Sequence, residues 1–113
     1  MGYRSTMVFG VPKEKEKQLK GLDLGGDTIE DLFEIANCYA DDVVVFRGEY
    51  LKWYDEFKDV QAIERFLNET WKNYPDKTFL IGVGEDGLIH SNIGAYYNYC
   101  NIYTDIVIHE HDI

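Results

Sequence analysis

Four tyrosines lie within nine residues near the C-terminal end, in the stretch AYYNYCNIY at 95–103. Tyrosine combines a large apolar ring with a polar tip and few rotatable bonds, so it suits contact surfaces. If 96–109 forms one strand, its side chains alternate between two faces. The odd-numbered face then presents an aromatic and polar set that has the composition of a binding surface: Tyr97, Tyr99, Tyr103 and Asp105.

The even-numbered residues of the same predicted strand are mostly apolar: Cys100, Ile102, Thr104, Ile106 and Ile108. We therefore expect them to face the core and the tyrosines to lie on the open side of a sheet. Tyr50 and Tyr54, in a predicted hairpin, would extend that open face. Tyrosine also favours strands, and cross-strand aromatic pairs stabilise exposed sheets that bind nothing. Both interpretations stay open.

A second motif, GVGEDG at 82–87, matches the spacing of a dinucleotide-binding loop. Such a loop offers bare amides and a helix N-terminus to a pyrophosphate. Here Glu85 and Asp86 would stand in place of the phosphate charge, and no helical pattern follows. Because Asp86-Gly87 is typical of a hairpin turn, we predict a turn and no cofactor.

Catalytic and metal-binding patterns are weak. His109 and His111 would point the same way on a strand, but no third ligand is evident unless His90 folds nearby, so we predict no metal site. No local signature indicates a nucleophile paired with a base. An enzyme remains an alternative if the fold assembles a concave pocket that holds His90 near an acid.

Charge gives the strongest indication of the partner. The 113 residues carry a net charge of −10, but residues 1–20 hold five basic residues against two acids, a charge of +3, so the rest carries −13. Such a surface repels nucleic acids and anionic membranes and attracts basic proteins. No segment is long and apolar enough to span a membrane, and no secretion signal is evident, so we expect a cytoplasmic protein with buried free thiols at Cys38 and Cys100.

Hydrophobic periodicity predicts a single domain over 1–113. The expected elements, in chain order, are a strand at 3–11, a short exposed helix after Pro12, a helix at 28–38 capped by Asp27 and Glu30, a hairpin within 41–55, a helix from Asp59 to just before Pro75, and strands at 77–83, 88–94 and 96–109. This order predicts an α+β fold, a ferredoxin-like sandwich with two helices on one face of an antiparallel sheet.

Three blocks carry a resemblance: the start MGYRST, the segment KWYDEFKDVQAIERFLN and the late GVGEDG turn. Together they resemble a group of small phage and prophage proteins of unassigned function, which open Met-Gly-Tyr-Arg-Ser. The resemblance covers about half of the chain in separate blocks. It includes no active-site motif, so no functional residue is carried over, and the segment HSNIGAYYNYCNIY departs from it. The resemblance implies a phage-derived protein that binds and blocks a host protein.

The leading hypothesis is thus a non-enzymatic protein that docks a basic host or defence protein through the tyrosine face and inhibits it. The alternative is a homo-oligomer that binds a small ligand, such as a nucleotide signal. In that case Arg4, Arg47 or Lys52 would contact phosphate.

Overall fold

The chain is built around a sheet of five strands in the order β2-β3-β1-β4-β5, and every neighbouring pair is antiparallel. This computed structural model describes residues 4–102 and 106–110. The strands are β1 Ser5–Pro12, β2 Glu34–Ala36, β3 Val43–Leu51, β4 Phe79–Gly84 and β5 Ile89–Ile93, and a separate pair comprises β6 Cys100–Ile102 and β7 Ile106–Ile108. The helices are α1 Glu16–Lys20, α2 Ile29–Leu32 and α3 Lys58–Asn73. The predicted α+β class is confirmed.

The central strand β1 pairs with β3 on one side and β4 on the other. Its alternation is the predicted one, since Met7, Phe9 and Val11 lie on one face and Val8 lies on the other. All four are buried. Both faces of β1 must therefore be covered, and the two covering layers differ.

Helices form the first covering layer. Residues Val60, Ile63 and Leu67 of α3 repeat at helical spacing and pack on the face that holds Phe9 and Phe46. The long helix predicted up to Pro75 is confirmed. Its N-cap is Phe57 rather than Asp59, whose carboxylate instead accepts a hydrogen bond of 2.8 Å from the Val60 N–H.

The helix predicted at 28–38 is wrong beyond its first turn. Its capping box uses Thr28 and Asp31, one residue later than predicted, with the Thr28 N–H donating to Asp31 Oδ2 at 2.9 Å. The helix stops before Phe33, whose ring is buried 4.7 Å from that of Phe9. The next three residues then pair with the free edge of β3, so tertiary pairing overrides the helical pattern.

The predicted hairpin within 41–55 is also wrong, because β3 runs unbroken from Val43 to Leu51 beside β1. Its middle does not turn. Instead, Glu49 and Tyr50 together stand opposite the single residue Thr6, which makes a β-bulge. The sequence pattern does not separate the two outcomes, because a glycine next to polar residues is common to turns and bulges.

The last segment, predicted as one strand over 96–109, is divided. A 3-10 turn at Tyr96–Asn98 precedes β6, and β6 pairs with β7 as a hairpin. This hairpin is the second covering layer, because Cys100 and Ile106 pack with Val8 and Phe79. The sheet face that we expected to be open is thus covered, and the ferredoxin-like arrangement is not confirmed. The helices do lie on one face only.

Within the described residues, no helix is both long and apolar enough to cross a lipid bilayer. Cys38 and Cys100 are both buried and unbridged. Burial raises the pKa of the Cys100 thiol to about 12. Only the thiolate is nucleophilic, so Cys100 should react slowly while it is buried. Its reaction rate therefore measures whether β6 stays packed against the sheet.

We predict that Cys100 is protected in the native protein. In a Cys38→Ser variant, which leaves one thiol, the reaction with a disulfide reagent at pH 8 should be roughly a thousandfold slower than in the same variant unfolded in guanidinium. Far-ultraviolet circular dichroism of the variant provides the control for folding. Reaction of native Cys100 at the unfolded rate would contradict the packing of β6 against the sheet.

Candidate binding site

The structure does not assemble the predicted tyrosine face. Tyr97 is 66% exposed, whereas Tyr99 is only 6% exposed. Tyr103 and Asp105 lie outside the described residues. The two described tyrosines therefore point into different environments, because the 3-10 turn breaks the alternation of a strand.

Tyr99 belongs to the core. Its ring stacks on Phe79 with centroids 4.8 Å apart and an angle of 8° between the planes, and its hydroxyl donates to the Asp76 carbonyl. Burial raises the pKa of Tyr99 to about 12. The outer side of the ring faces Tyr39 at 6.0 Å. The prediction of Tyr99 as a binding residue is corrected: it holds the hairpin against the sheet.

The other two predicted residues lie elsewhere. Tyr50 occupies the bulge of β3, at the same end of the sheet as Gly84, the last residue of β4. The turn that contains Tyr97 follows Gly94, which lies against Thr78 at the opposite end of β4. Tyr54 is half-buried, with its ring 5.2 Å from that of Phe57. Of the predicted residues that the structure describes, only Tyr97 and Tyr50 are largely exposed, and they are not neighbours.

Tyr50 borders a cleft of about 640 Å³ at the end of the sheet. The first residues of β1, the bulge of β3 and the turn after β4 form its walls. Its charged lining is acidic as far as the structure describes the chain, because three carboxylates and one guanidinium contribute to it: Glu49, Glu85, Asp86 and Arg4. We call this feature the acidic cleft.

Arg4 connects two walls of the acidic cleft. Its carbonyl accepts a hydrogen bond of 2.9 Å from the Glu85 N–H, and its own N–H donates to Glu85 Oε1 at 3.3 Å. Its Nη1 donates to the Tyr50 carbonyl at 3.3 Å. Arg4, the one cation among the described residues that line the cleft, thus holds the bulge near the β4–β5 turn and leaves that lining an excess of negative charge.

The backbone of Tyr50 is strained. Its φ angle is +58°, and among the described residues every other positive φ belongs to a glycine. A left-handed conformation costs a residue with a side chain about 1–2 kcal/mol. The ring is 81% exposed, so its packing within this chain offsets little of that cost. Such strain is characteristic of functional positions.

A second, smaller cleft of about 350 Å³ holds His90 beside Asp55 and Glu56. His90 Nε2 lies 2.8 Å from Ser5 Oγ, and Nδ1 lies 2.9 Å from Ser91 Oγ. Burial lowers the pKa of His90, and the nearby carboxylates oppose that effect.

The contact between Ser5 and His90 has the atoms of a nucleophile and its base. Ser5, however, is only 3% exposed, so its hydroxyl is not presented to a substrate. In this position the pair links the start of β1 to β5 across β4. The His90 cleft therefore meets the geometric condition that the sequence set for an enzyme, and the hydroxyl that lines it beside His90 is that of the half-buried Ser91, not that of Ser5.

Of the three cations considered for phosphate binding, Arg4 and Arg47 are engaged with protein oxygens, and Lys52 is exposed. Arg47 Nη1 donates to the Ile106 carbonyl at 2.7 Å, and Nη2 lies 3.2 Å from Glu49 Oε1. Arg47 thereby ties the C-terminal hairpin to β3. Arg4 lies in a cleft with three carboxylates, a setting that repels phosphate.

The GVGEDG motif forms the predicted turn. The Gly84 N–H donates to the Leu88 carbonyl at 3.0 Å, and Gly87 has a φ angle of +81°. No group of three His, Cys, Asp or Glu side chains that could hold a metal ion occurs among the described residues, which exclude His111. The sequence does not indicate that Glu85 and Asp86 line a cleft, because their approach to Glu49 and Arg4 depends on strand pairing.

We compared the chain with protein-family models, curated proteins and solved structures, and none of the three comparisons finds a match. The functional argument therefore depends on the geometry and charge of the chain itself.

We predict that Tyr99→Phe lowers the free energy of unfolding by about 1 kcal/mol at pH 7, because the hydrogen bond to Asp76 is lost. The wild-type protein should also lose stability as the pH rises from about 10, where an unfolded tyrosine ionises, through about 12, where folded Tyr99 does. The variant should lose less over that range. Urea titrations at pH 7, 10 and 11 measure both effects, and equal losses in the two proteins would contradict the assignment.

We predict that Tyr50→Gly stabilises the fold, because glycine adopts a positive φ without steric cost. The free energy of unfolding should rise by about 0.5–1 kcal/mol after allowance for the greater freedom of unfolded glycine. Tyr97→Gly is the matched control, since Tyr97 is also exposed but has no positive φ, and it should be destabilising. Chemical denaturation measures the free energy of unfolding of both variants. A loss of stability in both would mean that the backbone of Tyr50 is not strained.

Proposed function

We propose that this chain is a small acidic binding protein that docks a basic partner protein through the acidic cleft and inhibits it without catalysis. The observation that carries the proposal is the exposed side chain of Tyr50, which stands on a strained backbone beside three carboxylates. The cleft replaces the tyrosine face as the proposed docking surface. Tyr50 is the residue that the two share.

The chemistry of the acidic cleft fits a lysine or arginine side chain. A cation placed over the ring of Tyr50 would gain about 0.5–1 kcal/mol at an exposed site. Carboxylates nearby would accept hydrogen bonds from the same group. An aromatic ring with few rotatable bonds also loses little entropy on binding, which favours it as a central anchor.

The charge of the whole chain supports the same partner class. A net charge of −10 accelerates association with a basic protein and disfavours nucleic acids and anionic lipids. The resemblance to small phage proteins supports a host or defence protein as the partner and a phage origin for the chain. Inhibition would follow from covering the basic surface of that partner.

The test uses isotope-labelled protein and two defined probes, an arginine-rich peptide and a glutamate-rich peptide of equal length. Titration with the arginine-rich peptide should shift the amide signals of 4–6, 49–50 and 84–87, and the glutamate-rich peptide should shift none of them. Binding should weaken as salt is added, because exposed charges are screened.

Matched variants distinguish binding at the acidic cleft from attraction by the net charge of the whole chain. Glu49→Gln with Glu85→Gln should weaken binding of the arginine-rich peptide about tenfold, which corresponds to about 1.4 kcal/mol. Glu30→Gln with Glu69→Gln removes the same charge from exposed helical positions and should weaken binding less than about twofold. Tyr50→Ser should weaken it with no change of net charge. Equal effects of the two glutamine pairs would refute docking at the acidic cleft.

A further inference from the structure

His90 is placed by a bulge in β5. Ile89 and Ser91 pair with consecutive residues of β4, so His90 between them has no partner in that register. Such a bulge turns a side chain away from the ordinary alternation of a strand. The imidazole ring lies over Gly82, where an added Cβ would stand 3.0 Å from His90 Cε1. The glycine therefore leaves the space that the ring occupies.

His90 stands between the acidic cleft and the smaller cleft. Its Nε2 lies 2.8 Å from Oγ of Ser5, a buried residue that also belongs to the wall of the acidic cleft. His90 itself borders the smaller cleft, together with Asp55 and Glu56. The imidazole is thus one hydrogen bond away from the wall of the acidic cleft, so a charge on the ring acts on any ion bound there.

Carboxylates from three other segments act on the charge of His90. They come from the β4–β5 turn, from helix α3 and from the segment after β3, and they are Asp86, Glu64 and Asp55. Glu64 Oε2 also accepts a hydrogen bond of 3.0 Å from Trp53 Nε1. Asp86 also lines the acidic cleft. One carboxylate is therefore shared by the acidic cleft and the surroundings of His90.

The strands β1 and β4, which lie against the ring, contain no charged residue. Its nitrogens instead contact two hydroxyls, since Nε2 lies near Ser5 and Nδ1 lies 2.9 Å from Ser91 Oγ. A hydroxyl can donate or accept, so both contacts suit the neutral and the protonated imidazole. Burial lowers the pKa of His90, and the three carboxylates oppose that effect. Protonation therefore changes the charge at this position without breaking either hydrogen bond.

We propose that His90 regulates the acidic cleft: the neutral imidazole leaves the cleft open to a basic partner, and the imidazolium weakens docking by repelling the cation of that partner. This regulation rests on the proposed function, which supplies the cation. The ordinary pKa of histidine places its change of charge between pH 5 and 8. Over that range the charge on His90 changes, whereas a carboxylate of ordinary pKa stays ionised.

Protonation and docking must oppose one another equally. Two like charges near a wet surface repel modestly, so protonation of His90 should weaken docking about threefold. The bound partner must then disfavour protonation of His90 by the same factor. The titration midpoint of His90 should therefore move about half a pH unit toward acid when a basic peptide is bound.

The arginine-rich peptide is the probe for this regulation. At low ionic strength, the wild-type protein should bind it about threefold more weakly at about pH 5.5 than at about pH 7. His90→Gln keeps a polar side chain at the bulge but cannot be protonated in that range, so it should bind the peptide nearly equally at both. Added salt should reduce the pH dependence of the wild-type protein, because salt screens the repulsion.

His109→Gln is the matched control. His109 donates its backbone N–H to the Tyr99 carbonyl at 2.7 Å, and Tyr99 stacks on Phe79, the first residue of β4. The acidic cleft lies at the other end of that strand, where Gly84 is the last residue. Removal of this histidine should therefore leave the pH dependence of binding unchanged. Circular dichroism provides the check on folding for both variants.

Nuclear magnetic resonance supplies a measurement that needs no variant and so remains decisive if His90→Gln folds poorly. The ring proton signals of His90 give its titration midpoint with and without the peptide. In the free wild-type protein, the amide signals of 4–6 and 84–87 should titrate with the midpoint of His90.

The outcomes separate the two proposals. Failure of the peptide to bind at either pH would refute the proposed function, and the regulation with it. Binding whose pH dependence persists in His90→Gln, or which leaves the midpoint of His90 unmoved, would overturn the regulation alone.

Discussion

The burial of β1 on both faces is the constraint on which the rest of the structure depends. This strand has neighbours on both sides, and Met7, Val8 and Phe9 have no exposed surface. A strand that is apolar on both faces needs two covering layers. The helices provide one layer and the C-terminal hairpin provides the other. The chain therefore does not form a sheet that has helices on one face and solvent on the other.

Tyr99 illustrates how the second layer is attached. The stacking on Phe79 and the hydrogen bond to the Asp76 carbonyl satisfy both the apolar ring and the polar tip of a buried tyrosine. Arg47 adds a hydrogen bond from β3 to the Ile106 carbonyl on the same side. These contacts turn a tyrosine-rich segment into a structural support and leave Tyr97 at the surface.

Because apolar residues occupy both faces of the sheet, the charged residues are displaced to its ends and to the outer sides of the helices. The acidic cleft arises at one end, where Glu49 and Glu85 come from segments that are distant in sequence but adjacent through β1.

The sequence by itself determined the secondary elements that have strong periodicity or turn chemistry: β1, α3, β4, β5 and the Asp86-Gly87 turn. It also determined the net charge on which the proposal of a basic partner rests, and it identified Tyr50 as a binding candidate. Only the tertiary structure decided that 34–36 is a strand and that 43–51 does not turn. The same is true of the burial of Tyr99. These outcomes depend on which backbone edge or apolar face is left uncovered by distant parts of the chain, and local periodicity does not contain that information.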